Sequence, residues 1–423
     1  MNYNAGDTAW MLVATAMVLF MTPGLAIFYG GMVRSKNVLG MLAQNFIVMG
    51  TTTIAWLLVV YSLTFSGTGK WIGDLHQVGF LHITEMPTGF NLSFPPIVFA
   101  AFQLMFAMIT PALITGAIAD RMKFGSWIVF STAWLVLVYA PIAHWVFSPS
   151  GWLFKLGVQD FAGGTVVEAN AGASAIAVAI VLGARKGWPR ESMRPHNVPF
   201  VLLGAGILWF GWFGFNAGSA LAANETAAFA FVNTNIAGAA GLLGWMAWER
   251  FRNGHPTTLG AASGAIAGLV AITPSCGFIS PLASAAVGVA AGIVCASAIS
   301  LKHRVGIDDS LDVVGVHLVA GVIGMIFIGL VSISSFNSTA ARGLFTGGGA
   351  TLLVHQLIAV VAVITYAFLV TLLIARAIHK TIGLRATSDD ESRGLDLSQH
   401  AETAYDMTTY GDGARFSSGI FKN

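Results

Sequence analysis

Long apolar stretches of helical length recur along the whole chain, separated by short polar segments. Each stretch covers about 20 residues or more without the alternation of apolar and polar positions that marks a membrane strand, so each one can cross a bilayer as a helix. The pattern predicts eleven spans, beginning near residues 8, 38, 95, 124, 162, 197, 226, 257, 282, 313 and 351. We therefore predict an all-α polytopic membrane protein.

The composition agrees with lipid as the solvent, because 56% of the residues are hydrophobic and only 9% are charged. Lysine and arginine concentrate in the cytoplasmic loops of membrane proteins. With the N-terminus outside, 18 of the 21 basic residues fall inside, and only Lys70, Lys155 and Arg342 fall outside. The charges predict an N-out, C-in topology. The net charge of +2 follows from that topology and indicates no nucleic-acid partner.

Two ionisable side chains lie within predicted spans. Glu168 falls in the apolar run 161–182, and His317 falls in the run 313–333. An ionisable residue inside a span is costly, and it is therefore a candidate for function. The competing interpretation is a polar pair that only holds two helices together. Since Ser, Thr or Asn would suffice for that, we favour a proton-handling role.

The surroundings of these two residues are similar. A glycine follows each of them four residues later, at Gly172 and Gly321. By the predicted topology the two segments run in opposite directions and occupy equivalent places in two five-span halves. This predicts two inverted five-helix repeats plus one extra helix, with a site near the midplane at the repeat interface.

Acidic residues precede both helices. Asp160 comes before span five and Asp312 before span ten, where a carboxylate can cap free N–H groups and meet the positive end of the helix dipole. Capping is the simpler interpretation for both. A cation passing near Asp160 would also be attracted by its charge.

Aromatic residues with helical spacing mark two further spans. Phe102 and Phe106 lie on one face of span three, and Trp212, Phe215 and Ser219 lie on one face of span six. Such stripes usually serve packing. In lipid, however, glycines often provide the close helix contacts, which leaves large rings free to line a cavity. Ring faces attract cations, and a hydroxyl accepts hydrogen bonds, so this set suits a small cation that donates hydrogen bonds.

Several longer motifs follow one another along the chain. They are Phe28-Tyr29-Gly30-Gly31 with Arg34 and Asn37, Pro141-Ile142-Ala143-His144, Asp160-Phe161-Ala162-Gly163-Gly164-Thr165-Val166-Val167 continuing through Gly172 to Gly183-Ala184-Arg185, Pro195-His196-Asn197, the segment 211–219, the segment 312–317, and Arg393-Gly394-Leu395-Asp396. In this order they resemble the ammonium transporter (Amt/Mep/Rh) superfamily, in particular its bacterial Amt branch. The resemblance covers essentially the whole chain.

The resemblance implies a homotrimer in the bacterial inner (plasma) membrane, with one conduction pathway per subunit and no cofactor. Phe106, Ser219 and the position of Phe147 match an outer recruitment site for ammonium, and Asp160 matches an aspartate needed for that site's architecture. Phe106 and Phe215 match two stacked rings that close the vestibule, and Trp212 matches a pore-side tryptophan. The resemblance also suggests a transporter domain over residues 1–378 and a cytoplasmic regulatory tail over residues 379–423, to which a PII-type signalling protein would bind.

Two residues depart from the family pattern. Glu168 stands where the first of two hydrogen-bonded histidines is expected, a change that resembles a variant in some fungal members. Phe147 stands where a tryptophan is expected, although Trp145 is close by. Phe147 retains a ring face but lacks the indole N–H, so we expect weaker substrate capture.

The sequence thus predicts a channel that captures ammonium, deprotonates it and conducts ammonia past Glu168 and His317. A sensor that signals through the tail with little flux is the alternative; a solvated, flexible end is the simplest interpretation of the tail itself. An enzyme is not expected, because no His-Glu-x-x-His motif occurs and His317 has no second histidine at ligand spacing. Rhesus-type gas conduction is disfavoured by the recruitment residues.

Overall fold

The computed structural model describes residues 3–405, and helices occupy all of the predicted spans. In chain order, α1 to α11 are Ala5–Met32, Ser35–Phe65, Pro96–Ile118, Phe124–Leu156, Gly164–Leu182, Val198–Gly218, Glu225–Asn253, Thr258–Ile272, Pro281–Val305, Val314–Val331 and Thr351–Thr381. Two short helices follow, α12 (Ser388–Arg393) and α13 (Leu395–His400). Single 3-10 turns lie at Val78–Phe80 and Leu344–Thr346. Over residues 3–405 there is no β-strand, and only one isolated bridge, between Met122 and Arg385.

The all-helical class is confirmed. Ten of these helices are long and apolar enough to cross a bilayer, whereas α8 has 15 residues and spans about 22 Å. Nearly all of α8 is buried, and so are residues 273–279 that follow it. A short helix in this position therefore exposes no unpaired backbone to lipid. The count of eleven crossings and the N-out, C-in orientation remain predictions.

Glycines bring several helix pairs close together. A Cβ added at Gly31 in α1 would lie 2.6 Å from the carbonyl oxygen of Asn197, just before α6. A Cβ at Gly241 in α7 would lie 2.5 Å from the carbonyl oxygen of Gly264 in α8. In lipid, such close backbone approach provides the van der Waals contact that holds helices together. The larger side chains are thereby left to shape the interior between the helices.

Buried charges tie the connections between helices on one face of the bundle. The guanidinium of Arg185, after α5, donates to both carboxylate oxygens of Asp308, before α10, at 2.9 and 2.8 Å. Arg121, after α3, is fully buried and donates to the Asp308 carbonyl oxygen at 2.7 Å. Because each charge has a partner, burial is tolerated, and the end of α5 is held against the start of α10.

The described part of the tail is docked on this same face. The backbone N–H of Leu395 donates to the side-chain oxygen of Asn37 at 2.8 Å, and Asp396 accepts from the Gly40 N–H at 2.8 Å. Glu391 is buried and bonded to Arg385. Residues 382–405 are therefore packed against the helix connections, unlike the flexible end that is the simplest expectation for a tail. Residues 406–423 of the predicted tail lie outside the described residues.

Candidate functional site

Glu168 and His317 meet in the interior of the helix bundle. The carboxylate oxygen Oε2 of Glu168 lies 2.7 Å from Nδ1 of His317, and the two residues are only 1% and 3% exposed. Because a carboxylate accepts, Nδ1–H is the donor, and this tautomer leaves Nε2 of the ring as an acceptor. The arrangement joins a buried acid to a buried base across the interface of the two halves.

Both residues lie on widened helical turns. The first turns of α5 and α10, Gly164–Ala169 and Val314–Leu318, are π-helical. Such turns occur frequently at functional sites, because the extra residue changes the direction in which side chains project. Further π turns lie at Trp56–Val60 in α2 and Leu135–Tyr139 in α4, so the feature is shared by several helices of the bundle.

Asp160 caps the start of α5 with both carboxylate oxygens. Oδ1 accepts from the N–H groups of Gly163 and Gly164 at 2.8 and 2.6 Å, and Oδ2 accepts from the N–H and the hydroxyl of Thr165 at 2.7 and 2.6 Å. The carboxylate thus satisfies the free donors of the helix start. It also fixes the turn from which Glu168 projects.

The corresponding cap of α10 is Asp309, and the capping role expected for Asp312 is wrong. Asp309 accepts from the N–H groups of Val313 and Val314 at 3.1 and 2.8 Å. Burial raises the pKa of Asp309 to about 6, while Lys302 and the two N–H groups that it accepts from favour its charged form. Asp312 instead pairs with the Lys302 ammonium at 2.6 Å. Its positive φ of 61° turns it away from the helix start.

The correct cap makes the two halves more similar than the sequence motifs alone suggest. Asp160 precedes Glu168 by eight residues, and Asp309 precedes His317 by eight residues. The sequence carries this signal, but Asp312 lies nearer to the apolar run and obscures it. Aligning the halves on Glu168 and His317 first, and then looking for a shared acidic position, would have identified Asp309.

A wide vestibule opens on one side of the pair. It has a volume of about 980 Å³, and its wall includes Phe106, Phe147, Ser219 and Asp160. The rings of Phe106 and Phe147 meet edge to face with centroids 6.3 Å apart. The Ser219 hydroxyl donates to the Phe215 carbonyl oxygen at 2.8 Å, which leaves its oxygen lone pairs available as acceptors. The Asp160 carboxylate is hydrogen-bonded to backbone N–H groups and to Thr165. It therefore acts on the vestibule through its charge and not through a hydrogen bond.

Trp145 does not take the place of the tryptophan that Phe147 replaces. Its indole N–H donates to the carbonyl oxygen of Trp71 at 2.7 Å, and its ring packs against Trp152 and Tyr366. It is not part of the vestibule wall. Proximity in sequence therefore does not make Trp145 a substitute for the expected ring.

Two stacked rings separate the vestibule from the buried pair. Phe106 and Phe215 lie with centroids 4.2 Å apart and planes inclined by 23°, and both are 1% exposed. Behind them, Trp212 donates its indole N–H to the hydroxyl of Thr273 at 2.7 Å. Thr273, which the sequence did not single out, fixes the Trp212 ring against Phe215. The rings form an apolar barrier between the vestibule and the pair.

Beyond the rings, three cavities follow in series. The first, beside Glu168 and Trp212, offers about 10 Å³ to a water-sized molecule, which is the space of about one. The second measures about 70 Å³ and ends at Asp312. The third, about 220 Å³, opens at the face that carries the docked tail. His317 lines both the first and the second cavity, whereas Glu168 lines only the first. The site is thus a narrow, mostly apolar path with one acid–base pair at its centre.

Among the described residues, neither Glu168 nor His317 belongs to a group of three side chains that could hold a metal ion. With one carboxylate and one imidazole, the pair offers too few ligands for a metal site.

Known proteins resemble this chain over nearly its full length. Residues 9–405 match the model of the Ammonium Transporter Family. An ammonium transporter of Mycobacterium tuberculosis (strain H37Rv) is 50% identical, over 96% of this chain and 91% of that protein. The crystal structure of Saccharomyces cerevisiae Mep2 superposes with a TM-score of 0.87 at 35% identity, covering 92% of this chain and 91% of that one. A solved "Sensor Amt Protein" gives a TM-score of 0.85 at 30% identity, covering 93% and 98%.

Proposed function

The chain belongs to the ammonium transporter family, and from this premise we propose that it captures ammonium in the vestibule, removes one proton and conducts ammonia past Glu168 and His317. This family transports and does not catalyse reactions, and the chain is a multi-pass membrane protein. The observation that carries the proposal is the 2.7 Å acid–base contact in the middle of a path too narrow and apolar for a hydrated ion.

Desolvation explains why deprotonation is needed. Moving an intact cation into an apolar passage costs far more than moving a neutral molecule of the same size. Ammonium can avoid this cost by giving up a proton and crossing as ammonia. Potassium cannot lose a proton and cannot donate a hydrogen bond to the Ser219 hydroxyl, so the same path excludes it.

The pair offers a route for the released proton. We propose that ammonium transfers its proton to the Glu168 carboxylate, which leaves neutral ammonia and a carboxylic acid. Glu168 can pass that proton on when the imidazole is in its Nε2–H tautomer: Nδ1 then accepts the proton from the carboxylic acid, and Nε2–H gives one up. Since His317 lines the cavities on both sides, the ring can release that proton toward Asp312 and the opposite mouth. Transport is then electrogenic, because ammonia and the proton cross separately but in equal number.

Reconstituted protein tests this function directly. We expect a pulse of ammonium to evoke a current in proteoliposomes that contain the protein, and an equal pulse of potassium to evoke none. Protein-free liposomes provide the baseline. Ammonia flux without current would remove the proton route, and absence of both would remove the transport proposal.

The vestibule predicts a gain of affinity from one substitution. Phe147→Trp should lower the ammonium concentration that gives half-maximal current by about fivefold at most, because an indole attracts cations more strongly than a phenyl ring and a whole cation–π contact contributes about 0.5–1 kcal/mol in an exposed site. Phe154→Trp, on another part of the vestibule wall, is the matched control and should leave the affinity unchanged. An unchanged affinity in Phe147→Trp would mean that this ring does not contact the substrate.

A sensor role is the second candidate, favoured by the likeness to the sensor structure and by the docked tail. We propose that residues 379–423 are a cytoplasmic regulatory tail to which a PII-type protein binds, and that the chain is a homotrimer, as the family resemblance implies. Truncation after Tyr405 keeps the docked segment and removes only residues 406–423. A transporter shows ammonium flux with and without these residues, whereas a sensor shows negligible flux in both cases.

A further inference from the structure

A segment outside the membrane spans carries a cluster of side chains that the transport path does not use. It lies between α2 and α3 and contains His76, His82 and Glu85. The backbone of Phe80 and of His82 is left-handed, with φ of 59° and 57°. These two turns fold the segment back on itself, so that His82 returns to the side of His76.

The segment is anchored to α2. The ring of Phe80 packs edge to face against Tyr61 with centroids 5.4 Å apart. The Ser62 hydroxyl donates to the carbonyl oxygen of Asp74 at 2.8 Å, and it accepts from the N–H of Gln77 at 3.0 Å. These contacts lie on both sides of His76, so the position of its backbone is defined by packing.

One carboxylate links both imidazoles. Nε2 of His76 lies 3.0 Å from Oε2 of Glu85, and Nδ1 of His82 lies 3.2 Å from Oε1. The two rings stack with centroids 4.3 Å apart and planes inclined by 12°.

We propose that His76, His82 and Glu85 bind a divalent transition-metal ion, with zinc as the best fit. Two imidazole nitrogens and one carboxylate are a common protein ligand set for zinc, and water takes the fourth position. With metal–ligand bonds of about 2.1 Å, tetrahedral ligand atoms lie about 3.4 Å apart. The present separations of 3.0 and 3.2 Å run to the two different oxygens of Glu85, and one ligand atom from each residue lies within 4.8 Å of the other two, so the carboxylate must also turn for one oxygen to join both nitrogens. The rings must tilt out of their stack, which half-exposed side chains do without disturbing a core.

The bound metal would cross-link positions 76, 82 and 85. This closes the turn at Val78–Phe80 and orders the chain that continues to Phe90, a residue of the vestibule wall. The metal site does not depend on the transport mechanism. Its ligands lie outside the path, so removing them leaves the transport route intact.

Calorimetric titration of zinc chloride into untagged, chelator-treated protein in detergent tests the site. We expect one zinc ion per chain, and an affinity at least about tenfold weaker after each of His76→Ala, His82→Ala and Glu85→Gln, since each removes one of three ligands. His255→Ala removes an exposed histidine elsewhere and should bind zinc like the unaltered protein.

Ammonium-driven current provides an independent check that the variants are folded. In the absence of zinc, all four variants should conduct like the unaltered chain. Non-saturable zinc binding by the unaltered protein, or equal affinity in a His76→Ala/His82→Ala double variant, would overturn the proposal. Binding that responds to His255→Ala instead would place zinc at another site and overturn it equally.

Discussion

Glu168→Ala is expected to lose ammonium-driven current by about a hundredfold or more, the range typical for removing a positioned proton acceptor. The carboxylate is the group that can take the proton in the first narrow cavity, and it is bonded to His317 at 2.7 Å. Its removal also leaves the Nδ1–H of a buried imidazole without its hydrogen-bond acceptor. The measurement is the peak current in proteoliposomes with matched protein content.

Two other substitutions at this position distinguish loss of the proton-carrying group from loss of the hydrogen bond to His317. Glu168→Gln retains an oxygen that can accept from Nδ1 of His317 but cannot carry a proton, so we expect a low current with an intact fold. Glu168→His restores the two-imidazole arrangement that the family resemblance leads us to expect, and it should conduct. Glu225→Ala removes a vestibule carboxylate away from the pair and serves as the control. Equal currents from Glu168→Ala and the unaltered protein would remove Glu168 from the proton route.

Gly172→Ala is expected to destabilise the protein and to weaken conduction at the same time. A Cβ at this position would lie 2.5 Å from Cβ and 2.8 Å from the backbone nitrogen of Leu318. Leu318 follows His317, so α10 must move away from α5 and the contact with Glu168 must lengthen. The overpacking costs about 1–3 kcal/mol, which exceeds the gain of roughly 0.5–1 kcal/mol that alanine normally brings to a helix interior. A lower melting temperature in detergent and a reduced current are the expected results.

Gly206→Ala is the matched control for this substitution. Gly206 lies within α6, and nothing comes within 4 Å of an added Cβ. The same chemical change should therefore leave melting temperature and current unchanged or slightly raise the melting temperature. If both variants behaved alike, the close approach of α5 and α10 at Gly172 would not govern the site.

The helices and the two central residues, Glu168 and His317, can be predicted from the sequence because helices that cross lipid need long apolar runs. Long apolar runs mark the spans, and within them an ionisable residue stands out against its neighbours. Gly172 and Gly321, at equal distances from Glu168 and His317, indicated the relation of the halves before any packing was known. These signals lie within short segments of the chain, so one sequence is enough to find them.

Other features depend on contacts between distant segments. The helix α8 can be short because neighbouring helices bury it, and hydropathy does not show that burial. The choice of Asp309 over Asp312 as the cap depends on a backbone turn and on Lys302. The orientation of Trp145 depends on Trp71, which precedes it by 74 residues. Docking of the tail likewise depends on polar groups near the start of α2, far away in sequence.

The position of His317 between two cavities limits how protons can pass from one cavity to the other. A single ring forms part of the wall of both chambers, and a ring nitrogen that has picked up a proton from one chamber cannot bind another until the first is delivered to the next. In the proposed route the imidazole therefore passes protons one at a time. A cation that cannot release a proton would not be carried along this route at any membrane voltage or concentration gradient.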